Sequence, residues 1–262
     1  MEINLGTRVK ILLLVMALLM PWFNESYAFQ ERASFSVGYI HFPPLIIVDE
    51  PDKGPEQVKG LLSELMIKSV SECNFDVNFS YLSLNRFYAA VAKGDKSQVQ
   101  IIPKGIKQLD GLLIYSDFPV AVTALNMYWN KSHATQKTYN LKDLSDQTVV
   151  VISGYQYAGL IQKLREYPKL EIISVDNVKA AKTLLLKGRA KFALIYQSMF
   201  EQEKAFKNSF AFTNLSTIEY FISAHKDLAN KEEILACLAD VHQRILNNKT
   251  VKKTKSSHPI NR

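Results

Sequence analysis

The first residues that could bind a ligand follow an apolar segment in the middle of the chain. The unbroken run 149–152 is rich in β-branched residues, which predicts a strand buried on both faces. Leu160, Ile161 and Leu164 then repeat at helical spacing, so we expect 154–157 to form a tight strand-to-helix turn. Such a turn offers backbone N–H groups and the positive end of a helix to a ligand beyond the sheet. The alternative is that Gly154 only allows a tight turn.

A second candidate group lies at the end of the first predicted strand. Alternating apolar residues at 35–39 predict this strand, and the prolines at 43–44 end it. Proline fixes an extended backbone and donates no backbone hydrogen bond. The turn therefore presents Tyr39, His41 and Phe42 close to the end of the strand.

Signatures of enzyme chemistry are absent from the sequence. The five histidines are scattered without metal-ligand spacing, and neither a Gly-x-Ser-x-Gly elbow nor a phosphate-binding loop occurs. We therefore expect no catalytic activity, no metal and no cofactor.

The elements that must position these residues alternate between strands and helices. Lys93-Gly94 and Lys187-Gly188 each follow a predicted helix and precede a predicted strand, which is an internal repeat. This order predicts two similar α/β lobes with parallel sheets, and one continuous doubly wound sheet is the alternative. The predicted helices are 61–73, 85–93, 177–187 and a last one from 230, and the predicted strands are 34–40, 75–79, 99–102, 149–152, 171–175, 192–195 and 217–224. The segment 120–129 is long and strongly apolar, and we expect it to cross to another part of the molecule.

The first 28 residues have the pattern of a cleaved secretory signal. Arg8 and Lys10 precede an apolar core at 11–20, and Ser26 and Ala28 are small residues at the positions that a signal peptidase recognises. The core is shorter than the roughly 20 residues needed to span a bilayer. We expect removal of residues 1–28 and export of a mature protein without a lipid anchor, because no cysteine lies near the cleavage site.

The formal net charge of +7 comes mostly from the last residues of the chain. Lys249, Lys252, Lys253, Lys255 and Arg262 supply five positive charges in a segment without acidic residues. The rest of the chain has the charge of an ordinary soluble domain, so we expect a solvated terminus and no nucleic-acid partner.

Six segments, in order between about Phe35 and Leu246, resemble the periplasmic solute-binding proteins of the amino-acid type, bacterial extracellular solute-binding family three. They are Val37-Gly38-Tyr39 with Phe42-Pro43-Pro44, Gly60-Leu61-Leu62-Ser63-Glu64-Leu65, Ser116-Asp117-Phe118-Pro119, Leu141-Lys142-Asp143-Leu144 with Val149 and Gly154, Leu186-Lys187-Gly188-Arg189, and Tyr220-Phe221-Ile222-Ser223-Ala224-His225-Lys226. The resemblance implies a periplasmic, two-lobed clamshell of type II, in which each lobe is a mainly parallel sheet flanked by helices. It places lobe 1 at 29–118 and 219–262 and lobe 2 at 119–218, with hinge segments near 117–120 and 214–219.

Two positions depart from that family. Its amino-acid binders hold the ligand α-carboxylate with an arginine about seven residues before the Ser-Asp-Phe-Pro segment, and the α-ammonium with an acid in the second lobe. These positions are Leu109 and Tyr196 here. We therefore expect no tight binding of ordinary α-amino acids, whose charges would lack partners. An organic acid, an aromatic solute or a short peptide fragment fits better.

The resemblance also assigns the residues of the ligand cleft, whose aromatic walls and polar tips suit flat or aliphatic ligands. Arg86, at the start of a short helix, and Lys104, after the third strand, are candidate cations for an anionic ligand group. The alternative is that individual tyrosines pack the lobe core or the hinge. The remaining candidates are Tyr39, His41, Phe42, Gly154, Tyr155, Gln156, Tyr157, Tyr196 and Gln197.

As a function, the resemblance implies capture of a small-molecule ligand, with the protein acting as a monomeric receptor of an ABC-type importer. A free-standing periplasmic sensor or accessory protein is the alternative, and a dehydratase-like enzyme on the same fold is a third. The partner would be an inner-membrane permease or a sensor protein, and the sequence does not separate the two.

Two cysteines complete the set of residues with chemical potential. The family topology places both Cys73, at the end of the first helix, and Cys237, in the last helix, in lobe 1. Packing of these helices would bring the pair within disulfide reach. The alternative is a pair of buried free thiols on apolar helix faces.

Overall fold

The computed structural model describes residues 33–49, 58–202 and 207–256, with the backbone alone at 207 and at 248–256. The predicted signal at 1–28 lies outside the described residues, and so does Arg262. No helix within the described ranges is long and apolar enough to cross a membrane.

The first half of the chain forms a parallel block in which one strand pairs with two others. Strand β1 (Ser34–Tyr39) has β4 (Asp76–Tyr81) on one side and β5 (Val99–Pro103) on the other, and both pairs are parallel. Val37 is the register point, because it faces Phe79 of β4 and Val99 of β5. The elements of this block are β1 (Ser34–Tyr39), the two-stranded ribbon β2 (Ile47–Val48) and β3 (Val58–Lys59), α1 (Leu61–Glu72), β4 (Asp76–Tyr81), α2 (Leu84–Lys93) and β5 (Val99–Pro103).

Two longer strands form the centre of the sheet. The short β6 (Leu113–Tyr115) and the end of β5 pair antiparallel with β11 (Phe210–His225). Strand β11 also pairs antiparallel with β7 (Ala121–Asn130), and the register shifts between Asn214 and Ser216. The chain therefore crosses the middle of the sheet twice in opposite directions, once as β7 and once as β11.

The second block repeats the parallel arrangement. Its strand β8 (Thr148–Ile152) pairs in parallel with β9 (Glu171–Val175) and β10 (Phe192–Tyr196). Strand β10 also pairs antiparallel with β7. Val149 and Val150 are fully buried, which confirms the predicted strand covered on both faces. The elements are β8 (Thr148–Ile152), α3 (Leu160–Leu164), β9 (Glu171–Val175), α4 (Val178–Leu186), β10 (Phe192–Tyr196) and α5 (Gln197–Gln202).

All of these strands except the β2–β3 ribbon join one hydrogen-bonded sheet. Its order is β4-β1-β5-β11-β7-β10-β8-β9, with β6 attached to β11. The parallel pairing predicted within each half is confirmed, and the central antiparallel strands connect the halves into a continuous sheet. The division into lobes at 118 and 219 stays a prediction, as do the hinge segments.

The internal repeat has a structural cause at the ends of two helices. Gly94 follows α2 with φ of 66° and Gly188 follows α4 with φ of 63°. Glycine is the residue that adopts this left-handed conformation without a steric penalty, so each helix ends where the glycine occurs. Gly94 has a second constraint, because a Cβ there would lie 2.6 Å from the imidazole of His225.

A disulfide joins the first helix to the last. Cys73 at the end of α1 and Cys237 in α6 (Lys231–Ser256) are bonded, with their Cα atoms 6.1 Å apart. The alternative of two free thiols is therefore wrong. Leu65, Val241 and Ile245 form a small apolar cluster beside the bond. The backbone of α6 extends through the basic segment as far as Ser256.

Candidate ligand-binding site

Five aromatic rings, four from the two blocks and one from the central strand β11, meet near the ends of β1, β8 and β10. The ring centroid of Phe42 lies 5.2 Å from that of Tyr155, 5.4 Å from that of Tyr196 and 5.7 Å from that of Tyr220. Tyr157 joins the group at 5.3 Å from Tyr196. We call these five residues the aromatic cluster. Most of its contacts are edge-to-face or tilted, the arrangements that aromatic pairs favour.

Phe42 is held in the cluster by the turn that follows β1. Its backbone N–H donates to the carbonyl of Ile46 at 2.8 Å, and the Ile46 N–H donates back to the carbonyl of Phe42 at 2.9 Å. The predicted proline turn thus closes on itself and fixes the direction of the Phe42 side chain. The ring is buried against residues of the second block, although it belongs to the first.

The turn after β8 differs from the prediction. The helix α3 has five residues and begins only at Leu160, because Tyr157, Ala158 and Gly159 have φ of 48°, 51° and 85°. The predicted helical residues Leu160, Ile161 and Leu164 do lie in α3, but a 3₁₀ turn at Tyr157–Gly159 separates it from the predicted turn at 154–157, so α3 does not begin directly at the end of that turn. Instead, the hydroxyl of the buried Tyr157 accepts a hydrogen bond from the backbone N–H of Ile152 at 2.8 Å. The Tyr157 side chain thus satisfies the last backbone N–H of β8, and this hydrogen bond fixes the position of the tyrosine.

Glycines allow the two blocks to touch through their backbones beside the cluster. A Cβ at Gly159 would lie 2.5 Å from the carbonyl oxygen of Gly105, which follows β5. A Cβ at Gly154 would lie 2.8 Å from Cδ2 of Leu84 on α2. Both glycines also have positive φ, so larger residues would be strained there.

The cluster is uncharged. Burial raises the pKa values of Tyr155, Tyr157, Tyr196 and Tyr220 well above the ordinary value of tyrosine. A hydrogen bond with Tyr196 offsets part of this rise in the pKa of Tyr220. All four phenols are therefore protonated at neutral pH, and each can donate or accept a neutral hydrogen bond.

A cavity of about 40 Å³ opens beside these rings, and we call it the inner cavity. Phe42, Tyr155, Tyr196 and Tyr220 form one wall, and Tyr88 of α2 adds another ring. The opposite wall is aliphatic. Among the described residues, no ionisable group other than these tyrosines lines the inner cavity.

A larger and more polar space lies outside the cluster, with a volume of about 570 Å³, and we call it the outer pocket. His41 and Leu84 line it from the first block and Asp176 and Lys179 from the second, while Tyr155 contributes to both spaces. His41 accepts a hydrogen bond at Nδ1 from the Val48 backbone N–H at 3.1 Å, so its Nε2 carries the proton of the neutral ring.

The remaining predicted residues are more scattered. Tyr39 is buried, and its ring lies 6.1 Å from that of Tyr81 at the edge of the first block. Arg86 is exposed on α2. Lys104 is exposed as well, and its Nζ lies 4.0 Å from the ring centroid of Phe221. None of these three residues lines the inner cavity, and their ligand contacts stay predictions.

The predicted site residues Gly154, Gln156 and Gln197 lie on the second block. Gly154 and Gln156 line a space of about 660 Å³ together with Gln108 of the first block. Gln156 also accepts a hydrogen bond from Gln162 at 2.9 Å. The side-chain amide of Gln197 donates to Glu201 at 2.7 Å, one turn further along α5.

Leu109, at the position of the family arginine, is a core residue. It is 2% exposed and packs with Phe87, Val91 and Ile106. Tyr196, at the position of the family acid, belongs to the aromatic cluster. Within the described ranges, no group of three or more His, Cys, Asp and Glu side chains could hold a metal ion.

Sequence reasoning missed Tyr88 and Tyr220 as site residues. Tyr88 is one helical turn after Leu84, so these two residues form a second apolar row beside the core row of Phe87 and Val91. That second row was a usable signal for a contact with the other block. Tyr220 lies within a long apolar strand, and nothing local distinguishes it from its neighbours.

Comparisons with known proteins support the fold through structure alone. No family model matches the chain, and no curated protein sequence matches it. An arginine-bound form of ArgBP from T. maritima matches with a TM-score of 0.60 and 18% identity, over 81% of this chain and 96% of that one. The amino-acid ABC transporter substrate-binding protein AbpA from Streptococcus pneumoniae, bound to L-arginine, has a TM-score of 0.62 and 16% identity, over 84% and 92%.

A third similar structure is the VFT2 domain of BvgS from Bordetella pertussis. Its TM-score is 0.58 at 14% identity, and the match covers 80% of this chain and 92% of that chain. The chain therefore has the mixed α/β fold of type II periplasmic binding proteins, with a large curled sheet and flanking helices.

Proposed function

We propose that this protein is a periplasmic binding protein that captures a small, uncharged organic solute between its two blocks. It would serve as the receptor of an ABC-type importer and pass the solute to an inner-membrane permease. The observation that carries the proposal is the aromatic cluster, in which Phe42 of one block meets Tyr155 and Tyr196 of the other around the inner cavity.

The chemistry of the inner cavity argues against a charged ligand. A buried carboxylate or ammonium without a charged partner costs several kcal/mol, and an unpaired charge is therefore excluded from such a space. Leu109 and Tyr196 occupy the positions where amino-acid binders of the family carry an arginine and an acid. The neutral phenols instead suit a hydroxyl, carbonyl or amide group, and the rings suit a flat or aliphatic body.

Closure would follow from contacts that exist only when the blocks meet. The Phe42–Tyr155 ring contact and the approach of Gly105 to Gly159 both join the two blocks. A solute that touches both blocks stabilises this arrangement over an open one by its differential affinity. The central strands β7 and β11 are the connection about which the blocks would move.

A second candidate function is a free-standing ligand sensor or accessory protein. In this case the closed form would act on a sensor protein instead of a permease, with the same solute and the same site.

The test is native mass spectrometry on protein isolated from the periplasm, followed by identification of any released small molecule. We expect one uncharged solute per chain. Titration of that solute should give a dissociation constant at least about tenfold higher for Tyr196→Leu than for the unaltered protein, a loss of about 1.4 kcal/mol. Tyr81→Leu, which alters a half-exposed tyrosine at the sheet edge, is the control. Absence of any co-purified solute, together with no binder in a broad metabolite library, would refute the proposal.

A further inference from the structure

A second space lies behind the aromatic cluster and borders the inner cavity. This rear cavity, also of about 40 Å³, lies between β1 and the first turns of α1. Five residues line both spaces, so the two cavities meet along a shared wall. The shared residues are Ile40, Ile46, Leu62, Phe87 and Ile101.

The rear cavity is apolar. Val37, Leu62 and Met66 supply buried aliphatic walls, with Leu62 only 1% exposed. The hydroxyl of Ser63 also borders it, but that group donates a hydrogen bond to the carbonyl of Gly60 at 2.9 Å. No Lys, Arg, His, Asp or Glu of the described residues lines this cavity. A dry, apolar space of this kind favours hydrocarbon over water.

The outer pocket, on the other side of the aromatic cluster, is polar. A solute that extended from the cluster into the outer pocket would meet Asp176, Lys179 and His41. An apolar group there would displace water from charged side chains without replacing their hydrogen bonds. The aliphatic part of a ligand therefore gains most by pointing towards α1, while its polar part stays beside the phenols.

We propose that the ligand is an uncharged amphipathic solute, with one hydroxyl or carbonyl head beside Tyr196 and Tyr220 and a short alkyl tail in the rear cavity, whose volume of about 40 Å³ limits it to a few methylene groups. The proposal rests on the function proposed above, since it assigns the ligand class of the same site. Leu62 then determines specificity, because it lies between the head and tail regions and limits the length of the tail.

The experiment titrates the purified mature protein with straight-chain primary alcohols from ethanol to octanol, by calorimetry or by the shift of the unfolding temperature. Each added methylene should tighten binding about fourfold while it fits the cavity, which is the expectation for burying one CH₂ group. The affinity should then stop rising at a definite chain length, because α1 forms one wall of the rear cavity and its volume is small.

Two variants of Leu62 sharpen the test. Leu62→Phe fills the cavity and should move the limit to shorter alcohols, whereas Leu62→Ala enlarges it and should move the limit to longer ones. Leu65→Phe is the matched control, since Leu65 is one turn along α1 but packs with Val241 and Ile245 of α6. Because Leu62→Ala needs no extra space, the test survives if Leu62→Phe fails to fold.

The outcomes separate this inference from the proposed function. If the alcohols bind but both Leu62 variants leave the length limit in place, the tail does not enter the rear cavity and the inference is wrong. If no alcohol binds while the co-purified solute does, the inference is also wrong and the proposed function stands. If neither the alcohols nor any natural solute bind, the proposed function itself fails.

Discussion

The contact between α1 and α6 and the contact between the two blocks hold the molecule together in different ways. In the first, a disulfide joins Cys73 to Cys237, and Arg244 bridges to Glu72 at 3.3 Å. In the second, the described contacts include aromatic rings and close backbone approaches at glycines, and no covalent bond joins the cluster residues. If the protein binds a solute as proposed, the first contact would persist as a frame and the second would open.

The disulfide should give the largest effect on stability and none on the site. Its residues are 164 positions apart, and closing so long a loop stabilises the fold by about 3–5 kcal/mol in the chain-entropy model. We expect the double variant Cys73→Ala, Cys237→Ala to lose that much free energy of unfolding in urea, with ligand affinity unchanged. If the free energy of ligand binding fell by as much as the free energy of unfolding, the α1–α6 contact would also shape the site.

A methyl group at Gly159 should break the contact between the blocks. Its Cβ would lie 2.5 Å from the carbonyl oxygen of Gly105, so the two turns must separate. We expect Gly159→Ala to bind the solute at least about tenfold more weakly and to show a larger radius in X-ray scattering. The control is Gly111→Ala, because Gly111 has φ of 71° but no atom within 4 Å of its added Cβ.

Both glycine variants should also lose about 1–2 kcal/mol of stability, the ordinary cost of a side chain in the left-handed region. If Gly111→Ala weakened binding as much as Gly159→Ala, backbone strain and not the contact would explain the effect.

The phenols predict a loss of stability in alkali. Burial raises the pKa values of Tyr155, Tyr157 and Tyr196 in the folded protein above those in the unfolded chain. The unfolded state therefore releases protons first, and the stabilisation that is complete below pH 10 falls as the pH rises further. Urea titrations between pH 8 and 11 should show this, and Tyr155→Phe should reduce the slope by at most about 1.4 kcal/mol per pH unit. An unchanged slope would mean that Tyr155 ionises freely.

The smallest effect concerns amino acids, for which we expect none. Calorimetric titration with each of the twenty should show no sub-micromolar binding, since the resemblance aligns Leu109 and Tyr196 with the arginine and the acid that hold an amino acid in that family. One tight amino-acid ligand would contradict the assignment of these positions.

Several elements could be predicted from local patterns because their burial is local in sequence. The segment 171–175 was predicted as a strand with the observed bounds of β9, since its apolar residues follow directly on a polar turn. The start of β11 was missed by seven residues, because the short apolar run 210–212 is followed by polar residues and pairs with a distant strand, β7.

The site was harder to predict, since it depends on contacts between the blocks. Phe42, Tyr155 and Tyr196 were selected through strand ends and family resemblance. Lys104 was expected at the cleft, and its amine lies over the ring of Phe221, a contact between the residue after β5 and strand β11 that no local pattern encodes.

The central claim is that an uncharged solute is held between the blocks by the aromatic cluster. A crystal structure of the protein with its co-purified solute tests it most directly. We expect a ligand between Phe42 and Tyr196, with a polar atom within hydrogen-bonding distance of the hydroxyl of Tyr196 or Tyr220. A ligand whose carboxylate pairs with Arg86 or Lys104, away from these rings, would contradict it.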